Sequence, residues 1–226
     1  MVTATSGATA SSGSSTTAVG TSSSGQSTIL NGQVTIGAQW STLNVQTGSI
    51  GGDVIVQGSA GANALDVTTF NDTHVVNSQD AGSSNIGSVV NAEVSGVGGG
   101  VSITTQAFCN SANISTDPQI TDVTSDQNCH AQDPGSEVNA NVNGVGGDVA
   151  IATNAFGNTY SEDTNAVNAP VQLHQANTSN VYGTANTSVH NVAGSVSVTS
   201  SAIGNNAQVL HYSTDGASAT GNATGQ

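Results

Sequence analysis

The chain has 226 residues, none of them Lys or Arg and 14 of them Asp or Glu, so its formal net charge is -14. Nucleic-acid binding needs Lys and Arg to neutralise phosphates, Walker-type phosphate loops need a Lys, and docking on anionic lipid needs a basic patch, so all three are excluded. No apolar run reaches the roughly 18 residues of a membrane-spanning helix, which excludes direct insertion by that route.

Residues 1–28 are almost entirely Ser, Thr, Gly, Ala and Val. Met1-Val2-Thr3 runs straight into this segment with no basic start and no apolar stretch, so the chain reads as a mature form or a recombinant form with an added Met. Such composition suits a linker, or a strand donated to a neighbouring subunit if the segment is ordered.

A repeat domain follows over residues 29–212. Ile50-Gly51-Gly52-Asp53-Val54-Ile55-Val56 returns as Val97-Gly98-Gly99-Gly100-Val101-Ser102-Ile103 and as Val145-Gly146-Gly147-Asp148-Val149-Ala150-Ile151. A fourth copy reads Val192-Ala193-Gly194-Ser195-Val196-Ser197-Val198. Val54, Val101, Val149 and Val196 thus recur at spacings of 47, 48 and 47. Downstream, Ala60, Ala107, Ala155 and Ala202 share one position, and Gly61, Phe108, Phe156 and Ile203 the next. Asn63, Asn110, Asn158 and Asn205 follow. The first and last copies are the least regular, as expected where terminal repeats cap a stack.

The unit has a direct physical reading. Val-x-Ile puts two β-branched side chains on one face of a strand. Gly-Gly before it allows a tight bend or a positive φ, and Asn after it suits a turn. The expectation is strands of about four to six residues and an all-β fold. With only 3% aromatics, stacked rungs filled by small side chains make a core more readily than a globular interior does. The architecture expected is a β-solenoid in which each unit forms two rungs of roughly 23 residues. The alternative is a β-sandwich fibre subunit completed by strand addition. Trp40, Phe108 and Phe156 are expected in the core. Residues 213–226 form a polar C-terminal tail.

Cys109 and Cys129 are the only cysteines. In a reducing compartment they would be two thiols, and in an oxidising one a disulfide. The extracellular character of the rest of the chain favours the disulfide.

Candidate metal ligands are acidic. Asp53 and Asp148 follow Gly-Gly, as in calcium-binding β-rolls, but the nine-residue period of those rolls is absent. Asp117, Asp122, Asp126 and Asp133 cluster beside the cysteines, where oxygen ligands would suit calcium and where a solvated acidic loop would look the same. No other cofactor is expected. His74, His130, His174, His190 and His211 show no metal-ligand spacing and read as surface groups. No Gly-x-Ser-x-Gly elbow or carboxylate pair with aromatic platforms stands out, so no catalytic residue is assigned and the chain reads as a non-enzyme. Five sequons, at Asn71, Asn113, Asn177, Asn186 and Asn222, matter only if the source glycosylates.

Gly204-Asn205-Asn206-Ala207-Gln208-Val209 and Gly61-Ala62-Asn63-Ala64 resemble curlin-type repeats, and the overall style is similar to holdfast-attachment proteins, surface proteins of stalked bacteria. The resemblance covers short patches. It implies an outer-surface location, polymerisation and adhesion. The function expected is a structural subunit or adhesin of an extracellular filament, assembled through β-edges. Its partners would be copies of itself, a surface polysaccharide or an outer-membrane anchor. The alternative is a secreted ligand-binding module for calcium or polysaccharide. An ice-binding solenoid ranks below both, because Thr68-Thr69 and Thr104-Thr105 do not recur at rung spacing.

Overall fold

Val54, Val101, Val149 and Val196 lie side by side on adjacent parallel strands, so one repeat unit is one complete coil of a β-solenoid. A computed structural model describes residues 1–9, 18–21, 26–82, 85–117 and 120–212. The tail at 213–226, Asn222 and part of the 1–28 segment lie outside the described residues.

Two short strands come first, β1 (Val2–Thr9) and β2 (Ala18–Thr21). The first coil is β3 (Ser27–Thr35), β4 (Gln39–Ile50) and β5 (Val54–Thr69). The second is β6 (Thr73–Ala81), β7 (Ile86–Val97) and β8 (Val101–Thr116), and the third β9 (Thr121–Cys129), β10 (Gly135–Val145) and β11 (Val149–Thr164). The fourth is β12 (Val171–Asn177), β13 (Tyr182–Val192) and β14 (Val196–His211). Three sheets result: a long one, β1-β5-β8-β11-β14; a middle one, β4-β7-β10-β13; and a short one, β2-β3-β6-β9-β12. Every strand pairing is parallel except that of β2 with β3.

The long strands serve two cores. In β8 inward and outward residues alternate until Cys109 and Asn110, which are both buried. That break divides the strand. Its first half packs Val101 and Ile103 against Val90, Val94 and Val97 of the middle sheet. Its second half packs Ala112 and Ile114 against Val75 and Val123 of the short sheet. Between the two, the Cys109–Cys129 disulfide joins β8 to β9 among Ala60, Ala62, Ala81, Ile86 and Ala131.

The structure corrects several expectations. The unit is one coil, not two rungs of about 23 residues, because pairing is one-for-one over the whole unit. Strands of 9, 12 and 16 residues in the first coil replace the short ones expected. Asn63, Asn110, Asn158 and Asn205 do not turn the chain; they lie mid-strand, where each amide finds partners in adjoining coils. Positive φ recurs in one column two residues before the Gly-Gly pair, at Ser49 (58°), Gly96 (62°), Gly144 (68°) and Asn191 (53°), and occurs also at Asp133 (43°). The Gly-Gly pair serves close approach instead: a Cβ on Gly146 would meet Gly98 O at 2.5 Å, and one on Gly98 would meet Gly51 O at 2.8 Å. Trp40 is 49% exposed, and its ring covers Gly87 on the outer face of the middle sheet. Phe108 likewise lies over Gly61 outside the long sheet, and Phe156 shares that column. These rings shield glycine backbone rather than fill the core.

Candidate functional site: the two ends of the solenoid

Three columns of side-chain amides run through all four coils. The inner Asn column is buried: Asn63 Nδ2 donates to Asn110 Oδ1 (2.8 Å), Asn110 to Asn158 (2.7 Å) and Asn158 to Asn205 (2.8 Å). The Gln column runs the opposite way, with Gln79 Nε2 donating to Gln33 Oε1, Gln127 to Gln79 and Gln175 to Gln127, each at 2.8 Å. Each Gln also donates across the core to a main-chain carbonyl, of Ala64, Ser111, Thr159 or Asn206. On the outer face of the middle sheet, Asn91 donates to Asn44 (2.8 Å), Asn139 to Asn91 (3.0 Å) and Asn186 to Asn139 (3.0 Å).

A directional column has unlike ends. Among the described residues, Asn205 keeps one N–H after its bond to Gln175 O, and Asn63 Oδ1 keeps a lone pair after accepting from Thr35 Oγ1. Among the described residues, Gln33 and Asn44 likewise carry spare donors at the first coil, and Gln175 and Asn186 carry spare acceptors at the last. Each column therefore ends in a donor on one face of the stack and an acceptor on the other.

The apolar surface is also lopsided. Val149 and Ile151 are each 1% exposed, whereas their column mates Val196 and Val198 on β14 are 50% and 42% exposed. Among the described residues the fourth copy is thus an open end, not the cap expected from its irregular sequence. β14 offers a 16-residue edge with no Pro and no acidic residue. Long, uncharged edges of this kind recruit another strand.

A family model described as holdfast attachment protein D matches residues 2–209. The chain belongs to the holdfast attachment protein D family. No curated protein and no solved structure matches it significantly. Membership brings a structural and adhesive role in holdfast attachment, at the cell surface. The match starts at the first residue of β1 and runs into the end of β14, so the holdfast attachment protein D family spans both ends of the stack.

The residues singled out in sequence take structural places in this chain. Asp53 Oδ1 accepts from Gly100 N (2.8 Å) and Asp148 Oδ1 from Ser195 N (2.7 Å), each tying its turn to the next coil. Asp122 accepts from Gln26 Nε2 and contacts His74 Nδ1, and Asp126 lies 3.2 Å from His174 Nδ1. His130 lies 3.2 Å from Asp80. Asp133 accepts from Asn180 Nδ2 at 3.3 Å. Among the described residues no three His, Cys, Asp or Glu side chains converge as a metal-binding group.

Two features escaped the sequence reading. One is the Gln column, whose members are 46, 48 and 48 residues apart and so follow the repeat. The other is Glu162, fully buried in a column otherwise made of Val67, Ile114 and Val209. Tyr160 Oη donates to Glu162 Oε2, and Oε1 has no partner among the described residues. Burial raises the pKa of both groups; the Tyr160 bond and His211 pull Glu162 back only in part.

Proposed function

We propose that this chain is a structural unit of a cell-surface filament in holdfast attachment, built by stacking the fourth coil of one copy on the first coil of the next. The observation that carries this reading is the complementarity of the two ends. At such a junction Asn205 would donate to Asn63, Gln33 to Gln175 and Asn44 to Asn186, and β13 would pair with β4 in the register of the interior coils. Val196 and Val198 would gain the cover that Val149 and Ile151 have. A head-to-tail contact of this type is heterologous and propagates without closing, which is the geometry of a filament. An outer-membrane anchor would be needed at one end only. The reading contains no catalytic step.

The test is a charge on the open face. Val198→Asp adds a carboxylate to a half-exposed side chain, so the single copy keeps its fold by circular dichroism. Sedimentation and negative-stain microscopy should show filaments for the native chain and none for the variant. Filaments from both would remove the fourth coil from the assembly contact.

One observation favours a second partner. A groove of about 640 Å³ crosses the outer face of the middle sheet, lined by Asn44, Asn91, Asn139 and Asn186 on one side and by Gln46 and Glu93 on the other. A row of amides suits the hydroxyls of an uncharged surface polysaccharide, and stacking would lengthen the groove from copy to copy. Binding of a neutral glucan to filaments but not to Asn139→Asp filaments, read by co-sedimentation, would support this. Equal binding by both would end it.

A further inference from the structure

We propose that β1 is a built-in guard strand: it imitates the β14 of another copy and covers the first coil until such a β14 displaces it. This rests on the head-to-tail reading above and adds a control to it.

The imitation is residue by residue. β1 pairs with β5 in parallel, placing Val2 on Val54, Ala4 on Val56, Ser6 on Gly58 and Ala8 on Ala60. β14 presents Val196, Val198, Ser200 and Ala202 at the same four positions of its coil. The imitation extends to the main chain. Along the long sheet Val54 N donates to Gly100 O, Val101 N to Asp148 O and Val149 N to Ser195 O. Val2 N donates to Asp53 O at 2.9 Å, which is the carbonyl that Val196 N of a stacked copy would need. Ser6 Oγ is 2.9 Å from Ser41 Oγ, a cross-core hydroxyl pair like that of Thr105 with Ser88.

The strand count makes the two occupants exclusive. The long sheet has five strands and the middle sheet four, because β1 stands one strand ahead of the first coil. With β1 in place, β14 of a second copy would meet β1 while its β13 met β4 directly. One side of the junction would then be wider by a strand spacing of about 4.8 Å. All sheets can continue together only if β1 leaves. β2, which lies antiparallel on β3 ahead of the short sheet, must leave as well.

The competition is unequal. β1 has 8 residues against 16 in β14, and it offers Ala4 where β14 offers Val198. The guard is therefore replaceable by the real strand, while a lone copy keeps its first coil covered.

The test uses point variants of the full chain, which change how tightly β1 holds without touching the β14 face. Ala4→Asp places a charge on an inward-facing position and loosens β1; Ala4→Val adds apolar contact and tightens it. Light scattering of equal concentrations should show assembly starting about tenfold sooner for Ala4→Asp and about tenfold later for Ala4→Val, the change expected for one to two methylenes of contact. Circular dichroism checks that both single copies keep the native strand content. If the native chain assembles and neither variant changes the onset, β1 is not a guard, although stacking stands. Slower assembly of Ala4→Asp would mean that β1 is part of the junction, which also overturns the proposal. If no form assembles, head-to-tail stacking fails and the guard fails with it.

Discussion

Replacing Asn110 with Ala tests how much an inner amide column contributes. Asn110 is fully buried, accepts from Asn63, and donates to Asn158 Oδ1 and to Asn128 O. Ala leaves three buried groups without their partner. Each such group costs about 1–3 kcal/mol, so a loss of roughly 3–9 kcal/mol is expected. The control is Asn91→Ala on the outer face. Asn91 also sits mid-column, donating to Asn44 and accepting from Asn139, but water can replace both bonds there. Its loss should stay below about 1 kcal/mol. Urea unfolding followed by far-ultraviolet circular dichroism, in the Val198→Asp background to keep the chain monomeric, measures both. Equal losses for the two variants would refute the claim that buried amide columns hold the coils together.

Three further outcomes are expected from the packing. Burial raises the Glu162 pKa above its ordinary value of 4.5, so between that value and the folded pKa the folded chain keeps a proton that the unfolded chain releases. Stability should therefore fall as pH rises above that value and level off beyond the raised folded pKa, and melting temperatures of Glu162→Gln should lose most of this decline. Gly146→Ala pushes a methyl into Gly98 O, where backbone cannot step aside, and should cost about 2 kcal/mol or more in the same urea assay. Removing the Cys109–Cys129 bond with a double Ala substitution opens a link across 20 residues and should lower stability by about 3 kcal/mol, measured against the oxidised native chain.

The long sheet was the legible part of the sequence. Its strands bury Val, Ile and Ala at fixed positions, so selection for packing keeps a visible pattern at Val54, Val101, Val149 and Val196. The short sheet was opaque because its strands share little beyond one apolar column, Ile29, Val75, Val123 and Val171, and one amide column. β3 reads STILNGQVT and β9 reads TDVTSDQNC, yet Gln33 and Gln127 occupy one column. A column hydrogen-bonded along the stack constrains one residue in nine, which a search for apolar periodicity passes over. The mid-strand Asn residues misled for a related reason. Asn favours turns when its side chain must bond its own backbone, but here the neighbouring coil supplies the partner. β1 hid in plain composition: Val2, Ala4, Ser6 and Ala8 match the repeat positions but sit among residues too small and too common to show it. Ends of the stack could not be read at all, since Val196 is covered only where another coil packs beyond it.

The most direct test of the account is the axial repeat of the filament. Four coils stacked at about 4.8 Å per strand give a subunit rise of about 19 Å, with strands perpendicular to the long axis. Cryo-electron microscopy or fibre diffraction of assembled native chain should show both spacings, the strand spacing along the axis and the longer repeat at about four times its length. Filaments with a rise well away from that value, or strands that do not cross the axis, would contradict end-to-end stacking of the solenoid.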